Sequence, residues 1–377
     1  MTRSTSLPRR NWLRLGLTTG AAVAAQRPAR LLAGETTSVA APAISAPVRL
    51  SLNENPFGPS ERAVRAIAEH LGGGLSRYVE AEATAFTAQA ATREGLPAEQ
   101  IVLGETLEPL GTLLALDGGP GGEIVYSVPG YTALVDAAAR VGGAGAPVPL
   151  DARLENDLPA IAARVNGRTR AVFLVNPHNP SGTVSAPLAW LAFLRELSRR
   201  TLVIVDEAYL DFDEQLAPLT AARLTREGAN IAVFRTFSKL HGLAALPFGY
   251  AAVPRALGQR LRALGIGEPR TLNALALRAA AASLDDPAYA ATTRAKVATE
   301  RALWFRALDR LGLRRTAARG NFVFFETRRP HDAVASAFLA HGVKIGRAFP
   351  PLDTWARISI GLPEENTLAR AALSAIF

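Results

Sequence analysis

A chain of 377 residues, 49% hydrophobic and 20% charged, has an ordinary globular composition and room for about two domains with cores of their own. Its formal charge of +9 gathers at the start, where residues 1–35 hold six arginines and one acid. The remainder has no basic run interleaved with aromatics, which argues against nucleic acid as a partner. Zero cysteines exclude disulfides and thiolate chemistry, and five histidines without HxxxH or HExxH spacing argue against a protein-built metal site.

The chain begins with Pro8-Arg9-Arg10-Asn11-Trp12-Leu13-Arg14 and a mild apolar stretch, Leu15 to Ala25. A bilayer span takes about 20 apolar residues, so this shorter run, rich in Gly, Ala and Thr, reads as a signal peptide. The paired arginines ahead of Trp12 and Leu13 resemble the twin-arginine export signal, with Pro8 where that pattern usually has serine. The resemblance implies export of a folded protein to the periplasm. Cleavage after Ala25 and cleavage within Ala33–Ala43 are both compatible with the sequence. Residues 1–45 are therefore read as signal and linker.

Leu50-Ser-Leu-Asn-Glu-Asn-Pro-Phe-Gly-Pro59 is too dense in Asn, Pro and Gly to continue a helix or a central strand, and reads as an ordered turn or a linker. From Gln100 to Phe248, short apolar runs alternate with helical stretches, the pattern of an α/β fold with a mostly parallel sheet covered on both faces. The runs are Ile101–Leu103, Glu123–Ser127, Ala171–Val175, Thr201–Val205 and Ile231–Phe234. Gly104 feeds Glu105-Thr106 into a helix through about Leu116, and such a turn offers unpaired N–H groups to an anion; Thr106 is the candidate phosphate ligand. The loop Asn176-Pro-His-Asn179-Pro-Ser-Gly-Thr183 holds two prolines three apart and must lie at a strand end. Beyond about Thr271 come long helices, Leu272–Ser283 and Tyr289–Leu311, then an alternating strand, Gly320–Glu326, which together predict a smaller α+β domain.

Two positions carry the chemistry. Asp206 follows a wholly apolar strand, where an acid is costly to bury unless it meets a cation or a strong donor. A magnesium site of the nucleotide-hydrolase kind would also use such an acid, but the chain has no GxxxxGK[ST] loop. Lys239, in Arg235-Thr-Phe-Ser-Lys-Leu-His-Gly242, lies past the end of the next strand, and it is one of three lysines among 42 basic residues. Arginine stays protonated, so a neutral amine has few possible sources here. A lysine beside a sheet crevice, preceded by the Thr236 and Ser238 hydroxyls, suits condensation with a phosphorylated aldehyde cofactor.

Ser238-Lys-x-His-Gly-Leu-Ala, the Asn176–Gly182 loop, the Asp206 strand end and the 50–59 segment together resemble the fold type I, class I/II pyridoxal-phosphate-dependent aminotransferases of the histidinol-phosphate branch. The resemblance covers most of residues 50–362 and implies pyridoxal 5′-phosphate as cofactor, a small-molecule amino donor, a 2-oxo acid acceptor and a homodimer with shared sites. By residue, it implies that Lys239 is catalytic, that Asp206 holds the pyridine nitrogen protonated, and that Asn179 and Tyr209 bond the phenolic oxygen. It implies stacking of Tyr131 on the ring, a bond from Tyr78 of a neighbouring subunit to the cofactor phosphate, and substrate contacts from Arg347, Arg357 and Asn55. The implied division is an amino-terminal segment at 46–75 packing with the small domain, a large cofactor domain at 76–268 and a small domain at 269–377. One departure stands out: where the branch has an arginine for the phosphate, this chain has Pro247. Loss of such a charge-assisted bond corresponds to about ten- to a hundredfold in binding, which Thr106, Thr236, Ser238 and Arg235 are expected to offset. A lyase or decarboxylase on the same scaffold would share every motif, and a cofactor-binding homologue with impaired catalysis is the reading that Pro247 favours.

Overall fold

The computed structural model describes residues 46–117 and 121–377, and residues 46–377 form one compact unit. The arginine-rich start, with its twin-arginine-like signal, lies outside the described residues. In chain order the strands are β1 (Val48–Leu50), β2 (Ile101–Leu103), β3 (Glu123–Val128), β4 (Ala144–Pro149), β5 (Thr169–Val175) and β6 (Leu202–Asp206). There follow β7 (Ile231–Thr236), β8 (Gly249–Ala252), β9 (Phe322–Glu326), β10 (Val343–Ile345) and β11 (Trp355–Ser359).

Seven strands form the main sheet in the order β2-β8-β7-β6-β5-β3-β4, all parallel except β8. The chain leaves β3 for β4 on one side and returns to β5 on the other, which opens a crevice at the carboxyl ends between β3 and β5. Side chains alternate between two apolar faces. In β5, Val172 and Leu174 enter one core with Phe86, Trp190 and Leu194, while Ala171, Phe173 and Val175 enter the other with Leu110 and Leu134. That double burial explains why these strands read as unbroken apolar runs.

In the main sheet two strands escaped the sequence reading. β4 carries Pro147 and Pro149, tolerable because it is an edge strand; β8 is short and antiparallel, and its Gly249 leaves room for the Arg235 carbonyl oxygen, which a Cβ there would approach to 2.2 Å. β9, expected to alternate, buries Phe322, Val323, Phe324 and Phe325 alike because it is covered on both faces. Helix Ala274–Leu284, expected with the small domain, packs Ala276, Leu277, Ala279 and Ala280 into the core of the main sheet.

A second core gathers Trp304 and Leu308 from helix Pro287–Arg310, Phe338 from helix His331–Ala340, Leu373 from helix Pro363–Ile376, and β9 with β11. Leu50 of β1, Tyr209 and Leu240 belong to it too. The loops past β6 and β7 thus reach from the sheet into this second core. The cavity described next lies along that seam.

Candidate active site

Register puts the chemistry on one line. Val175 pairs with Asp206 and Asp206 with Phe234, so β5 and β6 end level, β7 runs two residues further to Thr236, and their loops open side by side. A cavity of about 490 Å³ sits over these ends. Its lining includes Thr106, Tyr131, Asn179, Asp206, Tyr209, Thr236, Ser238, Lys239, Arg347 and Arg357, residues drawn from seven separate stretches of chain.

The Lys239 loop is braced from below. Phe237 is buried and meets Phe86 edge-on at 5.8 Å, and its N–H donates to the Phe248 carbonyl at 3.0 Å. The Ser238 N–H donates to Thr236 Oγ1 at 3.1 Å. Gly242 closes the loop at φ +70°, where a Cβ would lie 2.3 Å from the Gly58 carbonyl oxygen, so the 50–59 segment rests directly on it. That segment is an ordered turn and not a linker.

Asp206 is buried, accepts one hydrogen bond, from the Ala208 N–H at 3.0 Å, and makes no ion pair among the described residues. Burial pushes its carboxyl up to about 6, with the Ala208 bond and the Lys239 charge opposing. Arg357 is likewise a buried charge without a counter-ion among the described residues: it donates to Asn179 Oδ1 at 2.6 Å and to the Ser51 carbonyl at 2.8 Å, and its Nε has no partner among them. Burial lowers it to about 10. Arg347 lies at the exposed rim over the Phe349 ring, 4.4 Å from its centroid. Thr106 is buried at the start of helix Leu107–Leu116 with its hydroxyl unpartnered. Tyr131 is partly exposed, and its phenol is raised by burial and by the nearby Asp206 charge.

Two expectations need correction. Asn55 does not line the cavity: its Nδ2 donates to the Leu240 carbonyl at 2.7 Å and to Tyr289 Oη at 3.0 Å, which fastens the amino-terminal turn to the lysine loop. Asn53 lines the cavity instead, donating to Tyr209 Oη at 3.1 Å. Sequence spacing gave no means of choosing between two asparagines on the same side of a turn. Arg235, offered as a phosphate partner, is committed to Glu207 at 3.1 Å and Glu94 at 3.3 Å. Tyr78 is 69% exposed in a separate depression with Arg77 and Asn273, so within one chain it does not line the cavity. Phe349 is a lining residue that no motif pointed to.

An amine, a lone buried acid, an unpartnered hydroxyl at a helix start and an unpaired arginine in one cavity can bind a small anionic molecule and move a proton on it. Comparison with known proteins agrees. Residues 45–373 match the family model described as aminotransferase class I and II. The chain is 33% identical over 329 residues to a histidinol-phosphate aminotransferase of Limosilactobacillus fermentum, covering 86% of this chain and 90% of that protein. It is 32% identical over 328 residues to an aromatic amino acid aminotransferase of Cutibacterium acnes, covering 87% and 92%. The solved histidinol-phosphate aminotransferase of Sinorhizobium meliloti, in complex with pyridoxal-5′-phosphate, superposes with a TM-score of 0.77 at 28% identity, covering 87% of this chain and 90% of that one. On the extent of that match and the sheet that carries Lys239 and Asp206 at adjacent strand ends, the chain belongs to the class I and II aminotransferase family.

Proposed function

We propose that the chain is a pyridoxal-phosphate-dependent aminotransferase that moves an amino group between an amino acid or amino-alcohol phosphate and a 2-oxo acid. The observation that carries this is the pairing, in one cavity, of the Lys239 amine with a buried Asp206 that has no cation of its own. The cavity fits the cofactor on both counts: Asp206 needs a protonated partner, and Thr106 offers an idle hydroxyl beside free helix N–H groups.

Pyridoxal phosphate, when bound, supplies an electron-accepting heterocycle that stabilises negative charge at the substrate α-carbon. Asp206 would hold the proton on the ring nitrogen, and Asn179 and Tyr209 would fix the ring's phenolic side. Lys239 Nζ, once free, would move a proton between the substrate α-carbon and the cofactor C4′. Arg357, with an unpartnered Nε, would receive the substrate's anionic group, and Arg347 at the rim would guide it in.

Support for assembly as a homodimer is the exposed Tyr78, a polar ring with no role in its own cavity. Support for export is the Arg9-Arg10 motif in the sequence. Export also implies that histidinol phosphate names the ancestry and not the substrate, since a screen of amino donors with 2-oxoglutarate is then expected to find another donor. Acceptance of histidinol phosphate alone as the amino donor would reject that reading.

The test of the chemistry is direct. Borohydride treatment of the cofactor-loaded protein is expected to fix the cofactor's mass on the peptide containing Lys239, and Lys239→Ala to abolish both that mass and transamination. Normal turnover by the Ala variant would refute the assignment.

A further inference from the structure

The end of the cavity beside helix Leu107–Leu116 is acidic where an anion would sit. Gly104 turns the chain out of β2 at φ +93°, and Thr106 buries its unpartnered hydroxyl against the helix start. The charged side chains that the same turn presents to the cavity are Glu105 and Glu108. Glu108 is engaged by Arg140 at 2.6 Å on the outer surface, whereas Glu105 has no ion pair among the described residues. Four cations line the cavity. Arg235 is held by Glu94 and Glu207, Arg357 donates to Asn179 and Ser51, and Arg347 lies on Phe349. That leaves Lys239, the amine committed to the aldehyde.

Resting on the pyridoxal-phosphate reading above, we infer that Glu105 sets how tightly this chain holds the cofactor's phosphate group, repelling it when ionised and donating a hydrogen bond to it when neutral. The hold is therefore pH-dependent and weakens towards alkaline pH. The groups facing Glu105 are Lys239 from the loop past β7, Asp206 at the end of β6, Tyr131 past β3 and Glu108 on its own helix. Although the Glu105 side chain keeps solvent contact, partial burial raises its carboxyl above the usual range, with Glu108 adding and Lys239 opposing. A raised carboxyl stays neutral to higher pH than an ordinary glutamate, which extends the donating form upward in pH.

The test uses two ligands that cannot condense with Lys239, pyridoxamine 5′-phosphate and pyridoxamine, whose affinity ratio isolates the phosphate. In the wild-type protein the phosphate's advantage is expected to fall about tenfold as pH rises from the ordinary carboxyl value of 4.5 to about pH 8.5. The phosphate's own second ionisation, near pH 6, lies in the same window and is carried alone by Glu105→Gln. In that variant the advantage at alkaline pH is expected to return to the wild-type acid value or above, and the slope to vanish or reverse. A wild-type ratio that is constant or rises with pH would overturn the inference. So would an unchanged slope in Glu105→Gln, or an equal flattening by Glu108→Gln. Failure of both ligands and of pyridoxal phosphate to bind at any pH would instead remove the cofactor reading itself, and this inference with it.

Discussion

Asp206 is an acid that the folded chain leaves unneutralised. Its carboxyl is raised from an ordinary 3.8 to about 6, so the folded state holds its proton more tightly than the unfolded chain does. Stability contributed at this site is therefore present below pH 3.8 and is lost as pH rises to about 6. Asp206→Asn is expected to stabilise the cofactor-free protein by roughly 3 kcal/mol above that window and by almost nothing below it. On the proposed reading the same variant is expected to lose about a hundredfold or more in turnover, because the cofactor's ring nitrogen would lose its counter-charge. Urea unfolding of cofactor-free protein at several pH values, beside transamination rates, checks both halves. A gain in stability that does not depend on pH would mean that Asp206 is not the titrating group. Asp206 and Lys239 were legible in the sequence because each is a charged residue set against an apolar strand, a conflict that only a site resolves. Asn53 was not, because its role follows from a backbone at φ +54° that aims its amide at Tyr209, and no local pattern encodes that.

At the scale of elements, the strand ends are tied together by a buried ion cluster. Arg235 of β7 binds Glu207, which follows β6, and Glu94, the last residue of helix Glu80–Glu94, while Glu94 also accepts a 2.6 Å hydrogen bond from Tyr250 of β8. Glu207 neighbours Asp206, and Arg235 stands four residues before Lys239, so the cluster sets how the two reactive side chains face each other. Even with Arg235 present, burial raises Glu207 to about 7. Arg235→Met is expected to leave the buried Glu207 without its cation, while Glu94 keeps Arg93 at 3.8 Å, at a cost of about 3 to 5 kcal/mol near neutral pH. The sign with pH follows from the raised Glu207: without its cation it rises further, so the penalty should be smallest in acid, where the folded state can protonate it, and grow as pH increases. Denaturation midpoints at about pH 5.5 and about pH 8 measure this difference; equal penalties at both would assign the loss to packing of the arginine stem. The parallel strands were legible as apolar runs, but the cluster was not. Glu94 and Arg235 are 141 residues apart, and nothing local to either marks it as buried.

For the whole molecule, the question is whether one chain completes its own site. Tyr78 is exposed and borders a depression with Arg77, Pro269 and Asn273 that is separate from the cavity holding Lys239. In the proposed dimer its hydroxyl serves the site of the other copy, so two variants that fail for different reasons should repair each other. A hybrid is made by co-expressing Lys239→Ala and Tyr78→Ala chains with different affinity tags and purifying on both. If Tyr78 acts across the interface, the Lys239→Ala chain lends its intact tyrosine to the copy that kept its lysine, and one site per dimer is native. Both defects then fall in the other site. The hybrid is expected to show about half the wild-type activity per dimer, while each variant alone stays far below that. If Tyr78 acts within its own chain, or only packs against solvent-facing neighbours, the hybrid gains nothing over the Tyr78→Ala protein. A second observable separates these cases from loss of assembly: sedimentation of every form as a dimer is required before the activities are compared. A monomer with full wild-type activity would remove the shared site altogether.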